Sequence, residues 1–306
     1  VMPIDKVIGK IYPFFGAFLI ISAIGVLIGV LTKGNANLAF EGQGLLAEHP
    51  KGQRFIPAFF ITVACGILSG FHGSQVTLVS RTVKSEKEAK TTFYSTMIAE
   101  GFIAMIWAAG AIVLFSTGES ALDTPGTIMV GNISKYFMGN IGGLMAIIGV
   151  IALPITSGDT AFRSLRLIIS EEMNIDQRKA GKRAGLAAVL FIPAAGILYF
   201  AKSNPNGFNV LWRYFGFTNQ FVAIFALAVA TVYLMYHNKN YFITLIPGIF
   251  YCFIVFSFII NADPIGFRQP YTIAYPIAAI ITVIYAVFVI RCGKKNRERI
   301  ESIILD

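Results

Sequence analysis

The sequence predicts an all-α fold, a membrane-embedded helical bundle with broken helices, and three observations carry that expectation. The chain is 56% hydrophobic and only 13% charged, with a mean hydropathy of +0.69, far more apolar than a soluble domain. Eight apolar segments follow one another along its 306 residues. One of them dissolves into glycine and small polar residues at a depth where lipid tolerates no unsatisfied backbone.

The segments cover residues 11–31, 56–71, 93–115, 141–156, 184–200, 215–236, 241–260 and 271–290. Most approach the roughly 20 residues that a spanning helix needs. About eight spans in 306 residues make a single transmembrane domain and leave no room for a sizeable soluble one. The first is preceded by Lys6 and Lys10 but is too long for a signal peptide and has no small-residue cleavage site, so it reads as a retained span. Because the chain opens on Val1, an upstream half of the same protein is expected to be missing.

Net charge is +9, which would suit nucleic acid if it were clustered on one surface. It is not. Alternate connections carry 18 Lys and Arg on one side and 7 on the other. That asymmetry is the positive-inside pattern; it places both termini in the cytoplasm and no nucleic acid among the partners. The lipid bilayer is the partner that the charge describes. Cys65, Cys252 and Cys292 fall in or at the end of spans and suggest no disulfide framework.

The second segment runs apolar from Phe55 and then meets Gly66, Ser69, Gly70, His72, Gly73, Ser74 and Gln75. A glycine-rich interruption at membrane depth must be buried in protein or line a cavity, and membrane transporters build midplane substrate sites in this way. Ser69, His72 and Gln75 are expected to face such a cavity. The second half-helix is expected to start near Gly73-Ser-Gln75 and to aim its free amides at an anionic group.

The fourth segment meets Pro154, followed by Thr156, Ser157, Asp159 and Thr160. A second interruption is expected there, since proline removes a backbone donor. Asp159 stands four residues before Arg163, the spacing of a helical ion pair. Upstream, within residues 118–140, Thr124-Pro125 reads as a helix start. Ile128, Met129, Ile133, Tyr136 and Phe137 follow at helical spacing, as in a short amphipathic helix that acts as a lid or as packing.

Ionisable groups inside spans are costly and are functional candidates by default. Glu100, beside Gly101, is expected to be a buried hydrogen-bonding partner with a coupling role, shared with Asp159. His72, with an ordinary pKa near 6.5, could sense protons. Asn219 and Gln220 enter the sixth span as polar residues suited to the bundle interior, with Gly216 as a possible helix start.

Five stretches also carry a family resemblance. They are Ile61-Thr-Val-Ala-Cys-Gly-Ile-Leu-Ser-Gly-Phe-His72, Met97-Ile-Ala-Glu-Gly101, Ile106-Trp-Ala-Ala109, Leu153-Pro-Ile-Thr-Ser-Gly-Asp-Thr-Ala-Phe-Arg-Ser164 and Phe215-Gly-Phe-Thr-Asn-Gln220. In this order they resemble the carbon starvation protein CstA family, itself similar to the LeuT-type transporters with inverted repeats and broken helices. The resemblance implies a symporter importing peptides or pyruvate across the bacterial inner membrane. It further implies that residues 55–236 form the second five-helix repeat and residues 241–291 two accessory spans. A substrate site of Gly66, Ser69, Gly70, His72, Gln75 and Asn219 follows from the break and the resemblance together. Thr156, Ser157 and Thr160 match the helix that supplies hydroxyl oxygens to a sodium site in relatives, and such oxygens suit a hard cation. No organic cofactor is expected, only Na+ or H+ as coupling ion.

Other classes fit less well. An enzyme needs a nucleophile–base pair or a metal cluster, and His49, His72 and His237 are scattered. A channel or sensor needs rings of charge or a pore helix, and none is visible. A transporter of amino acids or other small carboxylates is the nearer alternative.

Overall fold

The computed structural model describes residues 4–33, 54–80, 82–119, 124, 126–204 and 206–305. Among them there is no strand. The described residues form nine α-helices: α1 (Ile4–Lys33), α2 (Phe55–Ile67), α3 (Gly70–Val79), α4 (Thr96–Ser116), α5 (Gly126–Glu172), α6 (Ala180–Ser203), α7 (Gly207–Tyr236), α8 (Phe242–Asn261) and α9 (Tyr271–Leu305). A 3-10 turn at Glu86–Glu88 and a π-helical turn at Lys90–Ser95 lead into α4.

Six stretches of the described residues are long and apolar enough to cross a membrane, where eight segments were expected: Pro13–Lys33, Glu86–Ser116, Ala180–Ser203, Gly207–Tyr236, Phe242–Asn261 and Tyr271–Lys295. The chain is a multi-pass membrane protein. The expected segment 56–71 falls short because it is divided: α2 has 13 residues and α3 has 10, and neither alone covers a bilayer core of about 30 Å at 1.5 Å per residue. Residues 141–156 belong instead to the 47-residue α5.

The chain divides into two units. The first contains α1, α4, α5 and most of α6. Ala23, Val26 and Val30 of α1, Ile106 and Leu114 of α4, and Ile133 of α5 form its core. Gly25 and Gly29 let α1 approach α5 closely, since a Cβ at either would collide with Met138 or Phe137. The amphipathic segment predicted in residues 118–140 is the first part of α5, which packs Met129, Ile133, Tyr136 and Phe137 onto this core. It ends in a kink at Gly139, whose φ of 71° is open to glycine and strained for other residues.

Two expectations fail in this unit. The interruption at Pro154 is absent; α5 stays helical from residue 140 to Glu172. Proline removes one hydrogen bond, and membrane helices absorb that loss, as α1, α6, α8 and α9 do at Pro13, Pro193, Pro247 and Pro276. Glu100 is not buried: its side chain is exposed on α4, whose buried positions are Ile106, Gly110, Val113 and Leu114.

The second unit contains α2, α3, α7, α8 and α9. Ile61, Ile224, Cys252, Ile254 and Val255 form its core, flanked by Phe217, Phe221, Ile281 and Tyr285. The Tyr285 hydroxyl donates to the Ile224 carbonyl at 3.0 Å and ties α9 to α7. Thr231 and Thr244 share a hydroxyl hydrogen bond of 2.9 Å between α7 and α8. The start of α2 is held by α9: the Tyr275 hydroxyl donates to the Ile56 carbonyl at 2.5 Å, and the Arg54 guanidinium lies 5.3 Å from the centre of the Tyr271 ring. Gly216 does not begin α7, which starts nine residues earlier at Gly207; it gives α2 room instead, with Ile61 3.7 Å from where its Cβ would stand.

Candidate functional site

The helix break is real and lies at Leu68–Ser69, between the end of α2 at Ile67 and the start of α3 at Gly70. A helix start leaves its first amides without intrahelical partners, and a buried start needs outside acceptors. Here the acceptor comes from another helix. The Oδ1 of Asn219 on α7 accepts from the Phe71 amide at 2.9 Å and from the Ser69 hydroxyl, also at 2.9 Å. The Ser69 Oγ in turn accepts from the His72 amide at 3.4 Å, and the Ser69 carbonyl from the Gly73 amide at 3.3 Å.

The second half-helix begins at Gly70, not near Gly73 as expected, and the amides of Phe71, His72 and Gly73 are taken up by Asn219 and Ser69. Gly70 is the residue that permits the junction. A Cβ there would lie 2.5 Å from the Asn219 carbonyl oxygen and 2.6 Å from the Val222 Cβ, so α3 and α7 meet backbone to backbone. Asn219 is itself 6% exposed, a buried cap without charge.

Ser69, Gly70 and Asn219 are therefore brought together. His72 and Gln75 are half-buried on α3, one and two turns beyond the cap. The surroundings of Gly66 lie outside the described side chains, although its backbone belongs to α2. Gln220 was visible only as the second member of a polar pair. It is fully buried on α7, and neither atom of its amide has a hydrogen-bond partner. Burial of that kind is a property of the bundle and has no local signal.

The other candidates belong to the first unit. Asp159 accepts from the Arg163 Nη2 at 2.9 Å, the i,i+4 pair expected from their spacing, with both side chains about one-third exposed. One turn on, burial lowers the pKa of Arg166, Arg183 and Arg163 lower it further, and Asp159 opposes them. Ser157 is exposed and Thr160 half-buried on α5; the Thr156 side chain lies outside the described residues.

A family model described as "Carbon starvation protein CstA" matches residues 12–139 and 129–257, most of the chain. The chain belongs to the CstA family. A 117-residue stretch is 46% identical to an uncharacterised protein of Haemophilus influenzae, covering 38% of this chain and 80% of that protein. A membrane protein of the same organism, also uncharacterised, is 33% identical over 138 residues, or 40% of this chain and 37% of the relative. The peptide transporter CstA of Campylobacter jejuni is 24% identical over 262 residues, or 63% of this chain and 37% of its own length. The match thus spans little more than a third of two of these three relatives. No solved structure matches this CstA-family chain.

Proposed function

We propose that this chain is part of a secondary active transporter, a symporter that imports a small carboxylate, a peptide or pyruvate, across the bacterial inner membrane. Membership of the CstA family and the name of the Campylobacter jejuni relative support a membrane transporter. The observation that carries the finer reading is the α2–α3 break, capped from α7 by the neutral Asn219 oxygen.

In this reading Asn219 Oδ1 occupies the place of a substrate carboxylate oxygen. A carboxylate accepts from the Ser69 hydroxyl and the Phe71 amide more strongly than an amide oxygen does, because charge-assisted hydrogen bonds are roughly twice as strong. The positive end of α3 adds to that preference. Substrate entering the break displaces Asn219, which uncouples α3 from α7 and lets the two elements move apart. Thr156, Ser157 and Thr160 supply oxygens if Na+ drives uptake; His72, Glu100 or Asp159 carries the proton if H+ does. Both termini of the chain face the cytoplasm in this arrangement.

The test is uptake into proteoliposomes. Labelled dialanine or pyruvate should accumulate saturably against its gradient, and one of the two ion gradients should be required. Pyruvamide and C-terminally amidated dialanine should compete at least tenfold less well than their acids. Equal competition by the amides ends the carboxylate exchange model, and passive, non-saturating flux ends the transporter reading.

A further inference from the structure

The passage from α5 into α6 is the most basic connection of the chain: residues 163–183 hold Arg163, Arg166, Arg178, Lys179, Lys182 and Arg183. Arg178, Lys179 and Lys182 are exposed, as solvated charges are. Arg166 and Arg183 are half-buried instead, and the Arg166 Nε is sealed from solvent without a hydrogen-bond partner. Buried donors are nearly always paired, so an orphaned one requires an explanation. The same connection holds a second case in Gln177, whose amide oxygen and nitrogen are both sealed and unpaired. Arg183 lies on the half-buried face of α6, in line with Leu186, Leu190 and Ala194, and Phe191 of that helix meets the Phe162 ring of α5 at 4.6 Å. Burial lowers the pKa of Arg166, and the charges of Arg183 and Arg163 lower it further, so three guanidiniums share one neighbourhood. Asp159 opposes them but is already engaged by Arg163 at 2.9 Å. Among the described residues neither Arg166 nor Arg183 has an ion pair. Arg183 also stands in the first turn of α6, which holds no acidic residue, at the helix end where a cation is disfavoured.

We infer that Arg166 and Arg183 form a binding site for the phosphate of an anionic phospholipid, where α5 passes into α6. The site is independent of the α2–α3 break and of whatever the break binds. Two guanidiniums that repel each other, are partly withdrawn from water and have no ion pair are stabilised together by one anion between them. A phosphate offers oxygens to both, and guanidinium binds it through paired, charge-assisted N–H donors. Depth selects a lipid as its source. The spanning helix α6 has 24 residues and is about 36 Å long against a hydrocarbon core of about 30 Å, so its first turn stands at the level of the headgroups. No residue of α6 is buried, and exposed Val189 and Ile192 offer acyl chains an apolar surface below that turn. Basic pockets between spanning helices hold lipid headgroups in this way. A zwitterionic headgroup brings its own cation into the cluster, so phosphatidylglycerol is favoured over phosphatidylcholine. Free phosphate carries the charge but has no chains to lay along α6.

Thermal stabilisation of the full chain in neutral detergent tests this without requiring transport. It is titrated with phosphatidylglycerol, with phosphatidylcholine of the same acyl chains and with inorganic phosphate. Phosphatidylglycerol should act at a concentration at least tenfold below phosphatidylcholine, and inorganic phosphate over the same range should not stabilise. The double variant Arg166→Gln, Arg183→Gln should weaken the response to phosphatidylglycerol at least tenfold, and Arg183→Gln alone at least threefold. Lys179→Gln with Lys182→Gln removes the same charge from exposed positions of the same connection and should leave the response within threefold of wild type. Without lipid the double arginine variant should melt at the wild-type temperature or above, since it relieves the repulsion and the orphaned donor. The inference is overturned if phosphatidylcholine acts as well as phosphatidylglycerol, or if the double arginine variant keeps the response. It is equally overturned if the lysine variant loses as much, which would mean diffuse attraction to a basic surface. Stabilisation by inorganic phosphate equal to that by phosphatidylglycerol would make this a site for a soluble anion and end the lipid assignment. A double arginine variant that unfolds would show that the two guanidiniums already have partners within the chain, which also refutes it.

Discussion

Replacing Asn219 by alanine removes its carboxamide, and with the oxygen go two hydrogen bonds at once, those from Phe71 N–H and from the Ser69 hydroxyl. Each such bond contributes about 0.5–1.5 kcal/mol net, and each buried donor left unpaired costs about 1–3 kcal/mol. Ser69 can rotate its hydroxyl toward another acceptor, so only the Phe71 amide bears the full penalty. Losing a helix N-cap independently suggests about 1 kcal/mol. A local destabilisation of about 2–3 kcal/mol follows, or roughly 30- to 150-fold in an opening equilibrium. Amide hydrogen exchange measured on the protein in detergent reads it directly. Exchange at Phe71 and its neighbours in α3 should accelerate by that factor in N219A, while the α8–α9 amides stay within threefold of wild type. Ser69→Ala should give a smaller effect, because Asn219 still accepts from Phe71. The two variants together should be non-additive, since they share one acceptor. If N219A leaves Phe71 exchange within threefold of wild type, Asn219 does not hold the break and the transport argument built on it collapses.

Glycine at position 70 permits direct contact of α3 with α7, so Gly70→Ala should destabilise by about 1–3 kcal/mol through overpacking. Gly73→Ala, with its nearest neighbour Ala226 Cβ at 3.9 Å, should be neutral or better, and equal melting temperatures for the two variants would contradict the packing described. Asp159→Asn should change stability by only about 0.3–0.5 kcal/mol, because its i,i+4 pair with Arg163 is about one-third exposed. Lost uptake in a stably folded D159N would then assign Asp159 to coupling, and unimpaired uptake would remove it. Tyr285→Phe should cost about 1 kcal/mol in melting experiments by removing the α9 donor to the Ile224 carbonyl; a wild-type melting curve would show that this hydrogen bond is dispensable.

The broken helix was legible because glycine, serine and histidine in the middle of an apolar run leave few alternatives in lipid. What completes it was not: Ser69 and Phe71 find their acceptor 150 and 148 residues away, and nothing local to either segment marks the pairing. The misreading at Pro154 came from weighing the missing donor without the neighbours that absorb it. Glu100 was misplaced for a different reason. Hydropathy reports that a segment prefers lipid to water, but not which side of the helix meets protein, so a carboxylate inside an apolar segment looks buried in sequence while its side chain is exposed. Asn219 and Gln220 were recognisable as polar residues of a span; their different fates, one capped onto α3 and one sealed without a partner, follow from a rotation of about 100° around α7.

The second unit is sewn from two stretches of chain that emerge from the ribosome far apart. Translation at about 5–20 residues per second separates Phe71 from Asn219 by roughly 7–30 s. Throughout that interval the two half-helices α2 and α3 have no α7 to receive their hydroxyl and amide, and each half is too short to hold a bilayer by itself. The nascent segment therefore has to wait in a place that tolerates unsatisfied backbone, such as the lateral opening of the insertion machinery or the shelter of a chaperone. Ribosome stalling downstream of α7 should release it into lipid, whereas stalling before Gly207 should leave it retained.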